Sequence, residues 1–220
     1  MSHFWMSLAF QTWLDRMCVK ERRNFLGSYF DVIKAHRPFL VDPDCSITQF
    51  SDSVVIARPY DQEQFHAFIG GVATYQRLLL DQGLLCRGGI AVDKHFSNGS
   101  FTFSAGLISA YMVESTAARY PRVVVSKDVL DLVFPSLEGV PKGLVKEDDG
   151  LLFVDYLGAT SRTRPKALVS NVKEIVARLT TSENSSIREK GLWLASYADA
   201  TLGIAMKGPR FISSQKGNRK

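Results

Sequence analysis

Between residues 45 and 126 the hydrophobic period of the chain switches back and forth, and that succession restricts the folds open to it. The stretch CSITQFSDSVVIARP (45–59) sets β-branched residues in two short runs around Ser51-Asp52-Ser53, the pattern of a tight hairpin. Residues 62–82 then repeat apolar side chains every three or four positions. Phe65, Phe68, Ile69, Val72 and Leu79 share one stripe, and Gly83 stops the helix. LLCRGGIAVDKHF (84–96) returns to a strand with two glycines, and Asn98-Gly99 signals a turn into FTF (101–103). Residues 105–118 are helical and VVVS (123–126) is a short buried strand. Upstream, HFWMSLAF (3–10) suits a first buried strand. Residues 11–37 follow with helical spacing through Leu14, Met17, Cys18, Phe25, Tyr29 and Ile33, and Pro38 ends that helix. The order β-α-β-β-α-β-β-α-β predicts an α+β fold with a ferredoxin-like βαββαβ core, a mostly antiparallel sheet and helices on one face.

Loops are expected over 135–150, where Pro135, Gly139, Pro141, Gly143 and Gly150 cluster, and LLFVDYL (151–157) adds a strand. Helices over 165–180 and 186–204 finish the chain, the second opened by a capping box of Ser186 and Glu189. The reading divides the chain into a domain over 1–160, a helical extension over 161–206 and a basic, disordered tail over 207–220. At 220 residues and 45% apolar composition, a folded domain with one sizeable core is expected. The net charge of +5 is the tail's: KGPRFISSQKGNRK holds five Lys/Arg and no acid, leaving 22 basic against 22 acidic residues elsewhere. A neutral body argues against specific nucleic-acid binding. Cys18, Cys45 and Cys86 form no C-x-x-C, and the four histidines have no metal-ligand spacing. The first residues lack the cationic region and cleavage site of a signal peptide, and no run reaches the ~18 apolar residues of a membrane span. A cytoplasmic protein with no membrane partner is expected.

FSDSVV (50–55), RGGI (87–90), AGLISAYMVEST (105–116) and YPRVVVSKDVL (120–130) occur in an order and spacing that resembles the class III nucleotidyl cyclase catalytic domain. The likeness is to the divergent bacterial branch that includes the pyrimidine (uridylate and cytidylate) cyclases of the Pycsar antiphage systems. IREKGLWLASY (187–197) adds to it, so that the resemblance runs from residue 3 to about residue 200. It implies conversion of a nucleoside triphosphate, UTP among the candidates, to a 3′,5′-cyclic monophosphate and pyrophosphate in antiviral second-messenger signalling. In such a reaction the 3′-hydroxyl attacks the α-phosphate, while two divalent cations, Mg²⁺ or Mn²⁺, lower its pKa and neutralise the triphosphate. Two carboxylates bridge them, one from the first strand and one from the hairpin. A homodimer is implied too, because class III sites lie at subunit interfaces.

Asp52 matches the hairpin ligand, and the resemblance sets Phe50, Ser51, Arg87 and Gly88 about the substrate. Aspartate is also a favoured turn residue, so position alone leaves turn and ligand both open. The first-strand acid is missing. The family's F-x-D-x-x-G-F aligns with Phe4-Trp5-Met6-Ser7-Leu8-Ala9-Phe10, which puts Met6 in the acid's place and Ala9 in the glycine's. A thioether has little affinity for Mg²⁺, so the two-metal site reads as degenerate. Asp93 does not compensate, since along an extended strand it lies roughly 20 Å from Arg87. The offsets of the family's ribose-orienting Asn and transition-state Arg hold Ile108 and Met112, and those of its purine-reading Lys and Asp hold Thr48 and Phe101. That favours a pyrimidine, or no base at all. Ser104 is a further departure.

Arg87 offers a fork suited to phosphate oxygens, or equally a salt bridge at a strand end. Gly88 and Gly89 permit close backbone approach or mark a bulge. Tyr111 and Phe103 read as core, and Lys127 and Asp128 as helix-start chemistry. Two functions of different class follow: a divergent cyclase, or a catalytically inactive pseudo-cyclase that keeps fold and dimer and binds a nucleotide or a partner. A phosphate-binding module reaching nucleic acid through the tail is the weakest reading.

Overall fold

The computed structural model describes residues 4–13, 44–50, 53–97, 102–158 and 166–206. The expected helix beyond residue 13, Ser51 and Asp52, the Asn98-Gly99 turn, Phe101 and the basic tail lie outside the described residues. The chain divides into two compact units, Met1–Thr163 and Arg164–Lys220.

In the first unit, strands β1 (Phe4–Trp13), β2 (Ser46–Phe50), β3 (Ser53–Pro59), β4 (Leu85–Ser97), β6 (Val123–Val125), β7 (Leu144–Lys146) and β8 (Leu152–Val154) form one mixed sheet. Among the described residues their order is β2-β3-β1-β4-β6-β8-β7, and β5 (Thr102–Ser104) pairs with β4 beside that path. The β2-β3-β1-β4 half has the strand order of a ferredoxin-like core, and the α+β expectation holds. Among the described residues only β4 and β6 run parallel, a pairing that needs a crossover connection rather than a hairpin. β7 falls inside the expected loop region, and β8 is shorter than the strand expected over 151–157. β1 runs three residues past Phe10, so Gln11, Thr12 and Trp13 are strand rather than the start of a helix.

Helix α1 (Phe65–Asp81) buries the stripe its spacing promised: Phe65, Phe68, Ile69, Val72 and Leu79. Its end is a Schellman turn. Gly83 takes φ +75, its N–H donates to the Leu80 carbonyl at 2.8 Å, and Leu84 N–H donates to the Leu79 carbonyl at 2.9 Å. Gln76 of α1 hydrogen-bonds the Cys86 thiol, whose pKa burial pushes up to about 12, which favours the protonated thiol.

Helix α2 (Ala105–Ala117) begins on Ser104, whose hydroxyl accepts the Leu107 N–H at 2.9 Å. Its sequence is apolar nearly all round, yet among the described side chains it buries Gly106, Ala110 and Glu114. The reason lies in β4. A Cβ at Gly89 would stand 2.3 Å from the Ala110 carbonyl oxygen and 2.8 Å from the Glu114 nitrogen. The helix backbone therefore rests on a glycine, and small residues at a four-residue spacing must face inward. The bulky residues are turned out: Ile108, Tyr111 and Met112 are 60%, 61% and 53% exposed, which corrects the expectation that Tyr111 is core. After β6, helix α3 (Lys127–Val133) starts on Ser126, whose hydroxyl accepts the Val129 N–H, and Lys127 pairs with Asp131.

The second unit holds α4 (Lys166–Thr180) and α5 (Ser185–Leu202). Gly191 lets them touch, since a Cβ there would lie 2.8 Å from the Leu179 Cβ. The cap of α5 is Asn184, not the expected Ser186–Glu189 box: its side-chain oxygen accepts the Ser186 N–H at 2.9 Å and the Ile187 N–H at 3.4 Å. Asn184→Ala is expected to cost about 1 kcal/mol in urea unfolding, whereas Ser186→Ala costs a few tenths or less. Equal costs would restore the capping box. No described helix is long and apolar enough to cross a membrane.

Candidate functional site

The ladder registers show what meets at the hairpin end of the sheet. Phe50 pairs with Ser53, so the two residues between them, Ser51 and Asp52, connect β2 to β3. Ser53 stands opposite Gln11 of β1, and Gln11 in turn opposite Arg87 of β4. Gly88 pairs with Val123, and its N–H donates to the Arg122 carbonyl at 3.1 Å. One end of the sheet thus collects the flanks of the hairpin, the last residues of β1, Arg87, Gly88 and Arg122.

Met6 is not there. It pairs with Arg58 and Val92, fully buried, five positions along β3 from Ser53. At ~3.3 Å per residue that is roughly 17 Å from the hairpin end. The placement of Met6 opposite the hairpin acid is therefore corrected. The β1 positions level with the hairpin are Gln11 and, just beyond, Thr12 and Trp13. The strand sequence FWMSLAFQTW contains no Asp or Glu. Asp93 pairs with Trp5, at the sheet end away from the hairpin, and its carboxylate accepts the Lys94 N–H at 2.7 Å. Thr48, opposite Val55 in the hairpin, is exposed.

Arg87 meets Glu114 of α2, with Nε 2.6 Å from Oε1. The two atoms are in ionic contact without hydrogen-bond alignment, since neither has a hydrogen-bond partner. Glu114 is buried, whereas the Arg87 side chain keeps 26% of its surface in solvent. Burial raises the Glu114 pKa above the ordinary carboxylate value, and the Arg87 charge offsets only part of that rise. The β4–β1 pairing is unbroken from Leu85 to Lys94, so Gly88 and Gly89 form no bulge, and Gly89 serves the approach of α2.

The sequence reading missed Arg122. Its side chain is 2% exposed and ion-pairs with Glu147 and, at 2.6 Å, with Asp149; Nη2 also donates to the Ala117 carbonyl at 2.8 Å. Its guanidinium carbon lies 5.8 Å from the Tyr120 ring centroid. One arginine so fastens the β7–β8 turn to the Ala117 carbonyl at the end of α2, where a cation also complements the helix dipole. The available signal was a lone arginine ahead of VVV and the acidic run KEDDG (146–150). Asp149 is partly desolvated, which would raise its pKa. Hydrogen bonds from Arg122 and from the Leu151 N–H, with the Arg122 charge, outweigh that and hold it below the ordinary value.

Among the described residues no three His, Cys, Asp or Glu side chains gather to hold a metal ion. Among the described residues, β1 supplies no carboxylate to bridge divalent cations.

Solved structures similar to the chain are adenylate and guanylate cyclases. One is an adenylate/guanylate cyclase/hydrolase from Silicibacter pomeroyi, at 12% identity over 70% of this chain and 95% of that one, with a TM-score of 0.47. Another is the adenylyl cyclase CyaB from P. aeruginosa, at 11% identity over 70% and 95%, with a TM-score of 0.49. The guanylyl cyclase Cya2 is similar at 16% identity over 76% and 98%, with a TM-score of 0.40. No family profile matches the chain, and no curated protein does. At such identities no residue role transfers, and function rests on this chain's own residues.

Proposed function

We propose that the chain is a nucleotidyl cyclase-like protein that binds a nucleoside triphosphate as a homodimer and does not cyclise it. The observation that carries this reading is β1: level with the hairpin it offers Gln11, Thr12 and Trp13, and no acid to share cations with Asp52. A lone carboxylate facing a triphosphate holds too little negative charge to assemble two cations. Ile108 and Met112 stand where the resembled family carries its ribose-orienting and charge-stabilising residues, and neither forms such contacts. Their exposure, with that of Tyr111, gives α2 an apolar outer face at i, i+3 and i+4, suited to a second copy.

Sedimentation and calorimetry test the proposal together. The wild type is expected to run as a dimer and to bind UTP or another triphosphate. Tyr111→Asp with Met112→Asp, at exposed positions, is expected to give a folded monomer. A wild-type monomer that binds none of the four triphosphates would overturn the reading.

A second reading is an active divergent cyclase forming a 3′,5′-cyclic nucleotide, UTP first among substrates, in antiviral signalling. The match of Asp52 to the hairpin ligand favours it, as do the uncharged residues at the purine-reading offsets. It requires Mg²⁺ or Mn²⁺ held by donors beyond those of β1.

A further inference from the structure

Arg87 is the phosphate-binding candidate that the described structure brings to the hairpin end, and its guanidinium is already occupied. We infer that Glu114 is an internal competitor for the phosphate site at Arg87, taking the place a triphosphate oxygen would hold until α2 shifts or the carboxylate is displaced. The inference rests on the triphosphate-binding reading above and names how that site is regulated.

Several features of the pair support it. Arg87 sits in β4 opposite Gln11, which is itself opposite Ser53, the first residue of β3. It is 26% exposed, so an anion from solvent can reach it, whereas the carboxylate it meets is 4% exposed. The contact is close but poorly aligned, at 2.6 Å without a hydrogen bond, so Glu114 gives Arg87 a counter-charge and not the paired fork a phosphate would give. A buried carboxylate whose ionised form is disfavoured by its surroundings is also a weak holder of that guanidinium. Because α2 carries both Glu114 and the apolar outer face, whatever docks on Ile108, Tyr111 and Met112 would bear on the same helix.

Calorimetric titration with inorganic tripolyphosphate and with UTP separates the outcomes. Glu114→Gln keeps the shape and removes the charge, and it should bind both probes about tenfold tighter than wild type, as expected for one charge-assisted contact released. Arg87→Gln combined with Glu114→Gln should abolish that gain. Should Glu114→Gln unfold, Glu114→Asp draws the carboxylate back by one methylene, keeps its charge, and should give a smaller gain in the same direction. Equal affinities in wild type and the Glu114 variants would overturn the competition while leaving UTP binding by the wild type intact. A tripolyphosphate gain in Glu114→Gln without UTP binding by any form would support the competition and remove the nucleotide reading.

Discussion

Arg122→Ala is expected to lower the unfolding free energy of the first unit by about 3 kcal/mol, read as a shift of the urea midpoint with an unchanged slope. The side chain removed is among the largest fully buried ones, so a cavity remains at the junction of α2, β6 and the β7–β8 turn. Glu147 and Asp149 are less enclosed, at 18% and 40% side-chain exposure, and regain water once the arginine is gone. The cost therefore comes from lost packing and from the orphaned Ala117 carbonyl more than from stranded charge. Arg122→Lys should recover little of it, because a single ammonium cannot reach two carboxylates and a carbonyl in one plane.

The acid limb of stability is expected to change in the same variant. Asp149 is held below its ordinary value, so its contribution is fully present above that value and is lost as pH falls through the folded one. Arg122→Ala should flatten that loss. Glu114 acts oppositely. Its raised pKa gives a contribution fully present below the ordinary carboxylate value and lost as pH rises through the folded one.

Gly89→Ala is expected to be of comparable severity, about 2–3 kcal/mol. The added Cβ meets the Ala110 carbonyl oxygen at 2.3 Å, the Val113 Cβ at 2.7 Å and the Glu114 nitrogen at 2.8 Å. Two of the three are helix backbone, so the whole of α2 must lift. Gly106→Ala is the informative control. Its closest neighbour is the Ser7 hydroxyl at 2.7 Å, a side-chain tip with no hydrogen bond to lose, and its cost should be smaller. A displaced α2 also carries Glu114 off Arg87 and moves the apolar face proposed for self-association, so Gly89→Ala should weaken any such association where Gly106→Ala does so less. The reverse order of costs would show that α2 is not seated on β4 as described.

Which elements the sequence disclosed follows from how each packs. α1 presents one bulky stripe to the core, and its periodicity marked both the helix and the buried residues Phe65, Phe68, Ile69, Val72 and Leu79. α2 inverts that rule. It rests on Gly89 through Ala110 and Glu114 and on Ser7 through Gly106, so its large apolar residues face out, and no hydrophobic pattern in AGLISAYMVEST shows which face is which. The end of β1 was hidden by its own polarity: Gln11 and Thr12 interrupt the apolar run, yet their backbone keeps pairing with β4 through Trp13. Aligning F-x-D-x-x-G-F on Phe4–Phe10 put the expected acid position at Met6, which pairs with Arg58, five positions along β3 from Ser53. Arg122 was invisible because its partners lie 25 and 27 residues away, and an ion pair across that separation leaves no local spacing.

The most direct test incubates the purified wild-type protein with each of ATP, GTP, CTP and UTP in the presence of Mn²⁺, and follows cyclic nucleotide and pyrophosphate. A strand without a carboxylate beside the hairpin predicts bound triphosphate and no cyclic product from any of the four. Sustained release of a 3′,5′-cyclic nucleotide, abolished by Asp52→Asn, would contradict it.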